Sequence, residues 1–293
     1  MTRAKNVVLV FPHQDDEMYI FHRIRYLLKQ GTRLSMVWMT DGAANIPEIR
    51  QDLSIRLFFP ILARESDEVI RHVRRRESTS LMRHLGIPER NLHFLSHPSG
   101  QIKDCFSNIV ASLTHVFSEV NPQEIYTVAF DHCEFEHDAC NAAVKFAAKD
   151  WAWHGRSKAT LYEFPVFNTY RRRPRLHWLI PHKGVRVERT RFSQQEENER
   201  LRLFRQMFKS QWPVALLERI SYLLPSDYKR HGEPYRMMPE HDYTKRIKGA
   251  WVTYVPKSLR LEHFRQMILG HLKRETTGEV RRATSYGDLS RNS

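Results

Sequence analysis

Five short apolar runs separated by amphipathic stretches occupy the first 165 residues, and this alternation restricts the fold more than any other property of the chain. Residues 6–11 form a continuous β-branched run without in–out alternation, the pattern of a strand buried on both faces. Ile20, Ile24, Leu27 and Leu28 then share one helical face that Gly31 closes. Further strands are predicted at 34–39, 92–95, 125–130 and 161–166. Between them lie a helix over 66–85, stopped by Gly86 with Pro88 beyond, and a helix striped by Ile109, Leu113, Val116 and Phe117. Another is striped by Ala139, Ala142, Ala143, Phe146 and Ala147. Connections of this length predict a mostly parallel sheet covered on both faces, a doubly wound, Rossmann-like α/β fold. Ligands of such sheets bind beyond the carboxyl ends of the strands, where the order reverses. Chemistry is therefore expected in loops that directly follow strands.

After Phe167 the pattern changes. Arg171, Arg172, Arg173 and Arg175 interrupt it, residues 185–192 read as an extension strand, and 196–209 read as a helix. A last helix contains Leu261, Phe264, Met267 and Ile268. The expected organisation is a catalytic core over 1–165, an extension over 166–272 that completes the fold and the substrate pocket, and a disordered tail over 273–293. There is no internal repeat and no low-complexity tract.

With 293 residues, 41% of them hydrophobic, the chain is long and apolar enough for one packed α/β domain with an extension. Its net charge of +14 points to an anionic partner, whether a phosphorylated metabolite, an acidic glycan, a lipid surface or a nucleic acid. Three cysteines (Cys105, Cys133, Cys140) with no Cys-x-x-Cys spacing argue against a disulfide scaffold and exclude a zinc ribbon. Reduced thiols and a cytoplasmic location are expected. The apolar run at 7–11 is too short for a signal-peptide core, and nothing approaches the ~20 apolar residues of a membrane helix. A soluble protein, at most peripheral to a membrane, is expected.

Two loops carry the candidate chemistry. Pro12-His13-Gln14-Asp15-Asp16-Glu17 follows the first strand, and Asp131-His132-Cys133-Glu134-Phe135-Glu136-His137-Asp138 follows the fourth. Each alone is equally readable as a helix start, because Asp and Glu favour N-caps and first turns. If the strand order is 3-2-1-4-5, however, strands one and four are neighbours and the loops face each other across one crevice, with histidines in both.

The first loop closely resembles the Pro-His-Pro-Asp-Asp-Glu motif of the LmbE/PIG-L zinc-dependent N-deacetylases. Thr40-Asp41-Gly42 resembles the family's Thr-x-Gly turn, and Arg74 to Glu77 followed by Leu85-Gly86-Ile87 resembles its Arg-x-x-Glu…Leu-Gly-Val helix. Phe94-Leu95 with Pro98-Ser99-Gly100 is similar to its third-strand loop, and Glu136-His137-Asp138 to its second metal motif. Weaker echoes occur at Phe208-Lys209-Ser210-Gln211 and Asp242-Tyr243-Thr244. The likeness covers residues 6–165 well and the remainder loosely.

The resemblance implies that His13, Asp16 and His137 hold zinc or another divalent metal, three protein ligands that leave a position open for water. It implies Asp15 as general base and Arg74 as a substrate clamp. Two positions depart from the family. Glu134 stands where a histidine commonly serves the oxyanion or leaving group, which makes His132 the replacement candidate. Ser99 stands where an aspartate commonly grips sugar hydroxyls. Both Glu134 and Ser99 are expected at the substrate. The implied activity is hydrolytic removal of an acetyl group from an N-acetylated amino sugar, in an anionic glycoconjugate such as a lipid- or nucleotide-linked phosphosugar. Charge alone also admits a nucleic-acid-binding protein, but the basic residues are scattered and no binding module is recognisable. Glu134 admits a metal-binding member of the same fold that has lost catalysis.

Overall fold

The computed structural model describes residues 4–43, 65–153, 158–223, 226–254 and 260–277. Its centre is β1 (Asn6–Phe11), in which Val7 through Phe11 are wholly buried, as a strand covered on both faces requires. β1 pairs in parallel with β2 (Arg33–Thr40) on one side. β3 (Leu92–His97) lies outside β2, again in parallel. On the other side of β1 come β4 (Glu124–Val128) and then β5 (Thr160–Phe164), so these five strands run 3-2-1-4-5, the order under which the two motif loops face each other. Beyond β5 the chain forms a separate hairpin, β6 (Phe167–Tyr170) with β7 (Arg173–Leu176). The arginine cluster supplies its turn: Arg171 and Arg172 both take positive φ, as a tight two-residue hairpin demands. β8 (Val187–Thr190) and β9 (Glu233–Met237) then return to the main sheet, antiparallel, in the order β5-β9-β8. The sheet thus has seven strands rather than five.

Among the helices, α1 (Phe21–Lys29) follows a 3-10 turn over Asp16–Ile20, so the first motif leads into a tight turn and not directly into an α-helix. α1 has no cap of its own. The carboxylate of Glu233, on β9, accepts from the N–H groups of His22 and Arg23 at 3.1 and 2.8 Å and supplies what the helix start lacks. α2 (Asp67–His84) begins at Ser66, whose hydroxyl accepts from the Val69 N–H, and ends before Gly86 at φ 78°. α3 (Ile102–Val120) and α4 (Phe135–Trp153) pack against each other. α5 (Gln194–Met207) starts earlier than the sequence pattern implied, because Ser193 and Glu196 form a reciprocal capping box. α6 (Trp212–Leu223) packs on α5, and the short α7 (Asp227–His231) precedes β9. α8 (Leu261–Thr277) lies against α3 and continues past residue 273, where the tail was expected to begin; residues 278–293 lie outside the described residues. No described helix is long and apolar enough to cross a membrane.

Buried ions tie the later elements to the core. Arg200 of α5 is fully buried and donates to Glu197, to Glu218 of α6, and to the Met18 carbonyl behind the first motif. Glu163 of β5 accepts from Arg236 of β9 at 2.6 and 2.8 Å and from His241 at 2.9 Å. Burial alone would raise the Glu163 carboxyl, but the His241 and Arg236 charges outweigh it and hold the group at about 2. A depressed folded-state value means stability that is present above the ordinary carboxylate range and is lost as pH falls from about 4.5 towards 2. Glu163→Gln should therefore cost about 3 kcal/mol at pH 7. Urea unfolding of both proteins across pH should show this difference shrinking through that acid window.

Candidate functional site

The loops after β1 and β4 meet at the edge of the sheet where strand order reverses. His13 Nδ1 lies 3.5 Å from Asp16 Oδ2, and His137 Nε2 lies 3.5 Å from Asp16 Oδ1. One donor atom from each of the three falls within 4.8 Å of the others. Tetrahedral zinc, with ligands at about 2.0–2.1 Å, holds its donors about 3.3 Å apart, so this arrangement fits a divalent ion. Two imidazoles and a carboxylate suit zinc and neighbouring metals. Asp16 is buried while both histidines keep partial exposure, so the group is open on one side.

A chain of carboxylates and hydroxyls fixes His13. Its Nε2 contacts Glu136 Oε2 at 2.6 Å, which leaves Nδ1 facing Asp16. Glu136 also accepts from Ser99 Oγ at 3.0 Å and from the Gly100 N–H. Ser99 in turn donates its N–H to Asp41 Oδ1 at 3.1 Å, and Asp41 pairs with Arg71. A carboxylate behind a ligating histidine sets its tautomer and its orientation. Burial disfavours the His13 imidazolium, but the hydrogen bonds to Asp16 and Glu136 outweigh it and place its pKa well above the ordinary value. Burial likewise opposes the Asp16 and Glu136 carboxylates, yet the histidine charges hold both below the usual carboxylate range.

Asp15 sits beside this group on strained backbone. Its φ is 135°, a region glycine favours, at a cost on the order of 1–3 kcal/mol. Glu17 sustains the turn: its Oε2 accepts from the Asp15 N–H at 2.9 Å and from the Trp38 indole at 3.1 Å. Burial pushes the Asp15 carboxyl up to about 8, against the opposing pull of the Arg74 guanidinium. A cation in the adjacent site would draw it down again. Arg74 itself is buried on α2, packed so closely on Gly42 that a Cβ there would lie 2.9 Å from its side chain. With the Gln211 amide oriented by its hydrogen bonds, its oxygen accepts from Arg74 Nε at 3.1 Å. Glu77 accepts from the Ser210 N–H at 2.8 Å, so α2 holds the segment leading into α6 against the site.

The structure brings His13, Asp15, Asp16, His137, Glu134 and Arg74 together, with two changes of role and one displacement. Glu134 accepts from the N–H groups of Glu136 and His137 at 3.1 and 2.9 Å, so it caps the start of α4. Its Oε2 also lies 3.5 Å from His137 Nε2, and Glu134 and Glu136 form a second possible donor set with His13. Ser99 is buried and spends its hydroxyl on Glu136 instead of reaching into open space. His132 is displaced from the site altogether. It is fully buried, its Nδ1 contacts Asp138 at 3.0 Å, and its Nε2 accepts from the Ile247 N–H at 3.0 Å. With both nitrogens engaged inside the fold, it has none to offer a substrate.

Glu136, Glu17, Asp41 and Gln211 are the contributors that sequence reasoning missed. Glu136 had a signal, since it directly precedes a metal-type histidine. Gln211 had only its place in a weak echo of the family.

Residues 8–148 match the family model described as GlcNAc-PI de-N-acetylase (PIG-L). This segment is a PIG-L family domain. No curated protein matches in sequence. Among solved structures, the chain is similar to a deacetylase of teicoplanin biosynthesis, with TM-score 0.59 and 13% identity over 81% of this chain and 99% of that one. It is also similar to N,N′-diacetylchitobiose deacetylase from Pyrococcus horikoshii, with TM-score 0.51 and 18% identity over 80% and 84%. A third is the 4-carboxy-2-hydroxymuconate hydratase GalB from Pseudomonas putida KT2440, with TM-score 0.50 and 12% identity over 83% and 99%. Identities this low speak for a shared fold alone. The PIG-L match over residues 8–148 supports a hydrolytic enzyme of the deacetylase type.

His132→Ala should cost about 1–3 kcal/mol of stability by emptying a fully buried position and leaving the Ile247 N–H without its acceptor. Urea unfolding checks this. Full stability with a selective loss of turnover would return His132 to the site.

Proposed function

We propose that this PIG-L domain chain is a metal-dependent hydrolase that removes an acetyl group from an N-acetylated amino sugar carried on an anionic glycoconjugate. One observation carries the reading: two imidazoles and a carboxylate, from loops 121 residues apart in sequence at His13 and Asp16 against His137, converge beside a buried Asp15 and the Arg74 charge. His13, Asp16 and His137 would hold the ion, zinc fitting best. When bound, it supplies Lewis acidity towards water and an amide carbonyl.

The chain's own groups do the rest. Asp15 takes the proton of an attacking water and returns it to the departing amine, the bifunctional task for which a carboxyl near neutral pKa suits. Its strained turn, held by Glu17, keeps it from pairing with Asp16. Arg74 steadies the ionised form of Asp15 and favours a negatively charged substrate. Glu136, backed by Ser99, holds the His13 ring in place. Residues 166–272 complete the site on this reading, because buried Gln211 holds the Arg74 side chain beside Asp15. The net charge of +14 favours a phosphate-bearing conjugate over a neutral sugar. The unpaired Cys105, Cys133 and Cys140 accord with the cytoplasmic location we propose.

Metal analysis of the purified protein and acetate release from N-acetylglucosamine conjugates, with and without a phosphate, test this. Asp15→Asn should retain metal and lose about 10²–10⁴-fold in rate. His13→Ala and His137→Ala should lose metal and activity together. Bound metal without acetate release from any conjugate would identify a lapsed member instead, and undiminished turnover in Asp15→Asn would sink the mechanism. Glu136→Gln should weaken metal affinity about 10–100-fold, read by chelator competition on the folded variant.

A further inference from the structure

The sides of α6 are reversed relative to an ordinary surface helix. Its inward side buries Pro213, Ala215, Glu218 and Tyr222, and Glu218 is only 1% exposed, paired with Arg200 at 2.9 Å and His177 at 2.8 Å. Its outward side carries Trp212, Leu216, Ile220 and Leu223, spaced as one helical stripe and 52, 49, 49 and 72% exposed, with Leu217 alongside. A helix packed on a globular core normally turns such a stripe inward. Exposed apolar residues are ordinary when scattered; a contiguous stripe of this size marks a contact surface.

The surroundings of the stripe select its partner. α6 and α5 border a groove of about 760 Å³, lined by Arg202, Arg205, Arg219 and Lys229 and, among the described residues, by no acidic side chain. Lys229 stands over the Tyr222 ring at 5.0 Å. A Trp- and Leu-bearing stripe flanked by cations is the composition of helices that lie in the headgroup region of a bilayer, the apolar side chains entering and the cations meeting anionic lipid. We propose that the outward face of α6 docks this protein on the surface of an anionic phospholipid membrane. The helix is also tied to the candidate site: Trp212 directly follows the buried Gln211, which holds Arg74. The inference does not depend on the proposed activity, since adsorption is measured without turnover.

The test is sedimentation of the full chain with vesicles of phosphatidylcholine alone and of phosphatidylcholine mixed with phosphatidylglycerol. The protein should pellet with the mixed vesicles, remain in solution with the neutral ones, and be released by added salt. The double variant Leu216→Glu, Ile220→Glu should lower partitioning at least ~10-fold. Its thermal midpoint should stay unchanged, because both side chains face outward. Arg202→Glu with Arg219→Glu should weaken binding and flatten its salt dependence. Equal pelleting of wild type and the Leu216/Ile220 variant would overturn the proposal. So would a wild-type dimer that ignores both vesicles and dissociates in that variant, because the stripe would then belong to a protein interface.

Discussion

With Val8 opposite Ile125 and Val10 opposite Thr127, β1 and β4 end side by side, and the loops that follow them leave the sheet along one edge. Everything at the candidate site rests on that pairing. A parallel pair sends both following loops to the same end, which an antiparallel pair does not. The hydrogen bond between His13 and Glu136 then closes the two loops on each other across the seam. Ser99 and Asp41 extend the closure to the loops after β3 and β2, so four strand ends contribute to the position of one imidazole.

Much of this was legible before any coordinates. A buried strand such as β1 betrays itself by an unbroken β-branched run, and the parallel order follows from the lengths of the crossovers. The placement of His13, Asp16 and His137 at one edge follows from that order once the motifs are located. What could not be read is which nearby polar group faces which way. His132 and Glu136 are both close in sequence to His137. The backbone at His132 turns through positive φ and buries the ring against Asp138, whereas Glu136 reaches across to His13. Local pattern carries no record of such a turn. β8 lies within the 185–192 run read as an extension strand, but β9 was hidden, because it is short and holds Pro234 and charged residues that only pairing across distant chain makes intelligible. Glu233 is the plainest case: an acidic residue in a strand, explained solely by the open start of α1.

The charge of the chain also looks different once folded. Arg200 and Arg236 are buried and spoken for by Glu197 with Glu218, and by Glu163. They work as internal fasteners of the later elements, Arg200 to the Met18 carbonyl and Arg236 to β5, and they add nothing to a surface that meets a partner. The cations that remain outside include those around α6.

The Glu218–Arg200 pair beneath α6 has a mechanical consequence. Lifting the helix away from α5 would strip the buried Arg200 and His177 of the Glu218 carboxylate, at a cost on the order of 3–5 kcal/mol. The helix is therefore riveted to the body of the protein and behaves as a fixed keel. Contact with a soft interface can reach only as deep as the projecting tips of Trp212, Leu216, Ile220 and Leu223, and the body of the protein keeps a constant height above it.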